Sequence, residues 1–161
     1  MTKADCIAAL RGADRAGYTR ISGDNCVFKS GPLGVSPADA PCATALGVCL
    51  DEAFRRGELP NHAWAQDEIT GGFDVKTLSG DYTKGEDLAA LGLTPGGCAM
   101  VGTLNDLFDL RFDEIANLLE AANTVGEALN LLRAQLLERV NIIDGMLPCW
   151  GQDCLSGSTG C

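Results

Sequence analysis

A mainly α-helical domain, with α+β as the alternative and room for at most a small β-hairpin or sheet, is the fold class this sequence predicts. Three features carry that reading: apolar residues recur at steps of three and four along long stretches, capping residues stand at the starts of those stretches, and alternating runs of strand length are few and short. The chain has 161 residues, 46% hydrophobic and 21% charged. A domain of that size buries roughly 70% of the surface its unfolded chain would expose. No run of eighteen apolar residues is present to cross a bilayer, so no membrane partner is expected. The reading places one globular domain over residues 1–147 and a cysteine-bearing tail over 148–161.

The opening TKADCIAALRGADRAG sets Ile7 and Leu10 with several alanines at helical spacing, and Thr2 followed by Asp5 makes an N-terminal cap, so residues 3–15 are expected to be helical. From Gly17 to Asp39 turn residues dominate, and only Tyr18–Ile21 and Cys26–Lys29 have strand character, which suggests a small hairpin or an ordered loop. In PCATALGVCLDEAFRRG, Pro41 suits a first helical position and Gly57 a left-handed stop. Cys42, Leu46, Cys49, Leu50, Ala53 and Phe54 then share one face, with Asp51 and Glu52 on the other. Cys42 and Cys49 would lie two turns apart, too far to bond each other within one helix.

Residues 58–85 are irregular, with LPNHAW as a short helix and FDVKTL as an edge strand. KGEDLAALGL reads as a short helix ended by Gly92, followed by a Pro-Gly turn and the apolar run CAMVGTL, too short to assign. Phe108, Phe112, Ile115, Leu119 and Ala122 mark an amphipathic helix with Asp113 and Glu114 near its positive end. Thr124 with Glu127 forms a capping box for a second helix, whose stripe is Val125, Leu129, Leu132, Leu136, Val140 and Ile143 and whose stop is Asp144-Gly145. With only Asn123 and Thr124 between them, the two helices should fold back as an antiparallel hairpin over 108–143. Leu131 and Leu137 widen the apolar face, so the last helix is either central in the fold or shared with a second subunit. The stripe from Leu129 to Ile143 is therefore the candidate interface.

Twenty-two acids against twelve bases give a net charge of −10, which repels a phosphate backbone. The one dense basic cluster is Arg55-Arg56, so nucleic acid is not expected as a partner. MTKADCIAAL has neither the uninterrupted apolar segment nor the cleavage site of a secretory signal; a cytoplasmic location is expected, with a virion as the alternative.

Motifs for chemistry are absent. The chain has no Gly-x-Ser-x-Gly elbow and no Gly-x-x-x-x-Gly-Lys-Ser/Thr phosphate loop, and the glycines of LTPGGCAMVG miss the dinucleotide spacing. His62 is the only histidine, and nothing in PNHAW marks a cysteine partner for it. Asp67, Glu68, Asp74, Asp81, Glu86 and Asp87 lack the alternating pattern of a calcium loop and read as solvated surface. No catalytic residue can be assigned and no cofactor is expected.

Eight cysteines remain: Cys6, Cys26, Cys42, Cys49, Cys98, Cys149, Cys154 and Cys161. Isolated cysteines on helices, such as Cys6, Cys42 and Cys49, behave as small buried apolar residues. Cys149, Cys154 and Cys161 are separated by four and six residues rather than the two of a zinc knuckle or a redox motif. They read best as a disulfide clasp, Cys149 with Cys154 or Cys161 with the body; a thiolate metal site drawing on the same cysteines is the alternative.

Two stretches carry a family resemblance. APCATALGVCLDEA is similar to the Cys-Ala-Leu-Gly helix start of a family of small uncharacterised bacterial and phage proteins, and DLAALGLTPGGCAMVGTLNDLFDLRFDEIANLLEAA resembles that family's closing segment. There an apolar strand runs into Trp-Asn-Asp or a similar Asn-Asp turn, then into a helix with an Asp/Glu-Ile/Val-x-x-Leu-Leu core. Asn105, Asp106, Glu114, Ile115, Leu118 and Leu119 match, and the likeness covers about fifty residues. The chain lacks the tryptophan before Asn105, inserts Thr44-Ala45 into the Cys-Ala-Leu-Gly element, and adds the last helix and the cysteine tail. The resemblance implies a small α-rich fold and no known activity. Asn105-Asp106 is read as a turn and cap.

The expected function is that of a non-enzymatic interaction or structural protein of bacterial, phage or mobile-element origin, associating with itself or with a protein partner. The alternatives are a zinc-type thiolate metalloprotein and a small enzyme using a Cys-His pair.

Overall fold

The computed structural model describes residues 1–22, 28–31, 33–59, 89–150 and 154–156, without the side chains of 149 and 150. The expected LPNHAW helix beyond Leu59, the FDVKTL strand and most of the KGEDLAAL helix lie outside the described residues, as do Cys26 and His62.

Helix α1 spans Lys3–Ala16. Its start is local chemistry: the Thr2 hydroxyl accepts from Asp5 N at 3.2 Å and the Asp5 carboxylate accepts from Thr2 N at 2.8 Å, so two orphan donors are satisfied reciprocally. Gly17 ends it in the left-handed region at φ 101°. Two short strands follow, β1 at Thr19–Arg20 and β2 at Cys42–Ala43, paired in parallel with Thr19 opposite Cys42. Of the small hairpin or ordered loop expected here, residues 23–27 lie outside the described residues; β1 takes its partner from beyond the loop, and Lys29 bridges Ala43.

Cys42 is in strand β2, not on the helical stripe where the sequence reading put it. Helix α2 runs Ala45–Arg55, because the Thr44 hydroxyl accepts from Gly47 N at 3.1 Å and outcompetes Pro41 as the start signal. The Thr44-Ala45 insertion is thus the cap and first residue of the helix. Gly57, at φ 70°, stands just past its end.

Helix α3, Pro95–Asp106, occupies the segment expected to be a Pro-Gly turn and an unassigned run. Thr94 accepts from Gly97 N at 3.0 Å and Pro95 sits in the first turn, where its missing N–H removes no helix bond. Helix α4 is Phe112–Ala121 and opens one turn later than the stripe from Phe108 suggests, after Asp109 turns the chain at φ 56°. Glu114 accepts from Arg111 N at 3.1 Å at its start. Helix α5, Val125–Gln135, is capped by Thr124, which accepts from Glu127 N at 3.1 Å.

The long final helix is broken. Leu136 leaves helical geometry at φ −121° and ψ 72°, a 3-10 turn covers Leu137–Arg139, and helix α6 runs Val140–Trp150 through Asp144-Gly145 without stopping. Asp144 and Gly145 do not end the helix because neither takes a left-handed conformation, and Asp144 is engaged by Arg133 at 3.0 Å. The break packs α6 back onto α5, so three short helices in succession, α4, α5 and α6, stand where a two-helix hairpin is expected.

The architecture is mainly helical with a two-stranded parallel sheet. Helix α1 lies between α4 and α2, α2 also packs on α3, and the core is continuous from Cys6, Leu10 and Leu50 through Met100 and Leu104 to Ile115, Leu119, Leu129 and Leu132.

Candidate functional site

The most polar buried place in the described structure is centred on Asp51. Helical periodicity assigns this residue to the solvent face of α2, and that assignment is overturned: Asp51 is fully buried. Oδ1 accepts from Gly34 N at 2.6 Å, and Oδ2 accepts from Arg55 at 2.7 Å and from the Tyr18 hydroxyl. Lys29 Nζ, also fully buried, lies 4.0 Å from Oδ1. The chain before β2 supplies the Gly34 amide and Lys29, and both meet α2 at this one carboxylate. Arg55, one helical turn on, donates to Tyr18 at 2.9 Å and stands over its ring at 6.0 Å.

Burial, reinforced by Asp51, holds the Tyr18 phenol above its ordinary value, so it stays protonated and donating. Burial, against the pull of Asp51, lowers Lys29. Burial also disfavours the Arg55 charge, but the Asp51 carboxylate, the Tyr18 hydroxyl and Glu52 together more than compensate and hold it above its ordinary value. With both oxygens of Asp51 engaged and the carboxylate fully buried, the cluster holds its charges in place. A groove of about 260 Å³ runs beside it between α1 and α2, floored by Ala9, Gly12 and Val48 with Arg55 and Arg56 at its rim. Arg56 is tied there to Glu52 at 3.0 Å and to Asp5 at 3.3 Å.

A second buried polar group is Asn105, in the last turn of α3 and fully enclosed. It caps a helix other than its own: Oδ1 accepts from Ala45 N at 3.1 Å, the first amide of α2, while Nδ2 donates to Ile21 O at 2.8 Å. Asp106 beside it is exposed and accepts from Asn105 at 2.7 Å. Neither residue forms the expected turn. The two stretches that carry the family resemblance meet at the Asn105–Ala45 bond.

Three thiols gather where α1, α2 and α3 converge. Cys6, Cys49 and Cys98 are buried, and Cys6 donates to Leu91 O at 3.0 Å. The hydrogen bond with Cys6, followed by burial, pushes the Cys49 thiol well up, and burial pushes Cys98 up to about 12. Thiols so placed are poor nucleophiles. Among the described residues no group of three or more His, Cys, Asp and Glu side chains could hold a metal ion.

Of the tail cysteines, Cys154 is disulfide-bonded, which takes its sulfur out of any thiolate ligand set in this state. Its partner is none of Cys6, Cys42, Cys49 and Cys98, which are free. The side chain of Cys149 and all of Cys161 lie outside the described residues. The candidate interface also divides. Leu129, Leu132 and Ile143 are fully buried in the chain's own core, and Leu136 and Val140 are half-buried. Among the described residues the large apolar side chains left exposed are Leu107, Leu131, Leu137 and Ile142, with Leu137 76% exposed.

Comparison of the chain with protein-family models, with curated proteins and with solved structures finds no match.

Proposed function

We propose that this is a non-enzymatic interaction or structural protein that associates with a second copy of itself through the corner between α5 and α6. The observation that carries the reading is the exposed apolar set at that corner. Leu137 protrudes from the 3-10 turn, Leu131 and Ile142 flank it along the two helices, and Leu107 is brought close by the bond from Arg139 to its carbonyl at 3.3 Å. Such side chains lose their contact with water when two like surfaces meet about a two-fold axis. The engaged and buried state of Asp51 and the raised thiols support a role without chemistry. The resemblance supports a bacterial, phage or mobile-element origin, and the Asn105–Ala45 bond supports reading its two stretches as one structural unit.

Light scattering coupled to gel filtration tests the association. A dimer is expected at high protein concentration. Leu137→Asp places a charge at the contact twice, once per copy, and removes two leucines from it. At roughly 2 kcal/mol for each buried leucine this weakens association by about a thousandfold. A strict monomer at several hundred micromolar, wild type and variant alike, removes the proposal.

A further inference from the structure

We infer that residues 154–156 form a redox-released strap, held between the N-termini of α3 and α5 by the disulfide at Cys154 and freed when that bond is reduced. The inference is independent of the association proposed above. Leu155 is fully buried; its N–H donates to Asn123 O at 3.0 Å and its carbonyl accepts from Thr94 N at 3.1 Å. Thr94 Oγ1 also donates to the carbonyl of Cys154, Ser156 bridges Leu93, and Cys154 bridges Thr124. The strap thus ties together two helix starts that are thirty residues apart in sequence, Thr94 and Thr124. The site is shaped to receive it: a Cβ on Gly97 would stand 3.0 Å from the Leu155 carbonyl and 3.3 Å from Thr94 Oγ1.

Three residues with one buried side chain hold weakly by themselves, because ordering a flexible segment offsets most of what its few contacts contribute. The covalent tie at Cys154 keeps the segment at high effective concentration over its groove. In the reduction a dithiol thiolate attacks the disulfide, a mixed disulfide forms, and the reductant's second thiolate resolves it. Two electrons and two protons pass to the protein as two thiols, and the dithiol leaves as its cyclic disulfide. Cys6, Cys49 and Cys98 are already thiols and are unchanged by this step.

Hydrogen exchange on the full chain, with and without dithiothreitol, reads the release directly, since the Leu155 and Thr94 amides are the two donors in the strap's backbone bonds. Both should exchange at least about 30-fold faster after reduction, while the Leu10 amide in α1 keeps its rate. Cys154→Ser should exchange at the fast rate whether or not dithiothreitol is present. Equal protection of Leu155 in both states overturns the inference, as does loss of protection that extends to α1. Peptide mapping after thiol blocking that finds Cys154 as a free thiol overturns it as well.

Discussion

Replacing Asp51 by Asn keeps the shape of the side chain and removes its charge, leaving Lys29 and Arg55 without their shared counter-ion. Lys29 is fully buried, so its ammonium loses the carboxylate that faces it in a place water does not reach. Arg55 has a side chain 36% exposed, and its charge can turn to solvent, so it adds little to the loss. Removing one partner of a buried pair costs about 3–5 kcal/mol. For a chain of this length each kcal/mol lowers the melting temperature by roughly 2–4 °C, and the variant should therefore melt about 10 °C below wild type. Urea unfolding followed by circular dichroism measures the same quantity at constant temperature. Lys29→Met in the Asp51→Asn background should recover part of the loss, because it takes away the buried charge that Asp51 faced, and the double-mutant cycle should show coupling of at least about 1 kcal/mol. A cost for Asp51→Asn below about 1 kcal/mol, the range of a surface ion pair, would refute the account of the cluster.

Two glycines separate close approach from open space. A Cβ on Gly47 would fall 1.9 Å from the Phe28 carbonyl oxygen, which is backbone and cannot turn away, so Gly47→Ala should cost about 3 kcal/mol or more. Gly12 faces nothing within 4 Å inside α1, and Gly12→Ala should stabilise by about 0.5–1 kcal/mol, both read by thermal melting. The pH dependence follows from the raised acids. Tyr18, Cys49 and Cys98 hold their protons more tightly folded than unfolded. Their contribution is fully present below the unfolded values and is lost as pH rises through the folded ones. For Cys98 that window runs from 9.0 to about 12. Lys29, lowered on folding, acts in the opposite sense as a single group. Urea midpoints should fall steadily above pH 9, and Cys98→Ala should flatten that slope; a midpoint constant to pH 11 contradicts the reading.

The local features of the fold were legible in the residues themselves. Thr2 with Asp5 caps α1 and Thr124 caps α5 as expected, with Glu127 closing back on Asn123 N in place of Thr124 N, and the stripe from Phe112 through Ile115 to Leu119 is buried on one face of α4. Such signals act within one or two turns and need no partner from elsewhere. The break at Leu136 was not legible, since Val125–Ile143 satisfies a continuous helical period. What interrupts it is the gain from laying Ile143, Met146 and Leu147 back on the core. Asp51 misled for a related reason. Periodicity places it opposite the stripe of Cys49 and Leu50, and only the approach of Lys29 and Gly34 from the preceding loop turns that face inward.

What the sequence by itself determined was the helical class, the helix caps and most of the core, because periodicity and capping are properties of neighbouring residues. It also determined the absence of recognisable catalytic motifs. The tertiary structure decided the rest. It paired β1 with β2, set Asn105 as the cap of α2, buried the Asp51 charge cluster and seated Leu155 between Thr94 and Asn123. Each of these joins groups twenty or more residues apart or turns a polar side chain inward. Their free energy comes from satisfying buried donors and acceptors across the fold, and no local pattern records that.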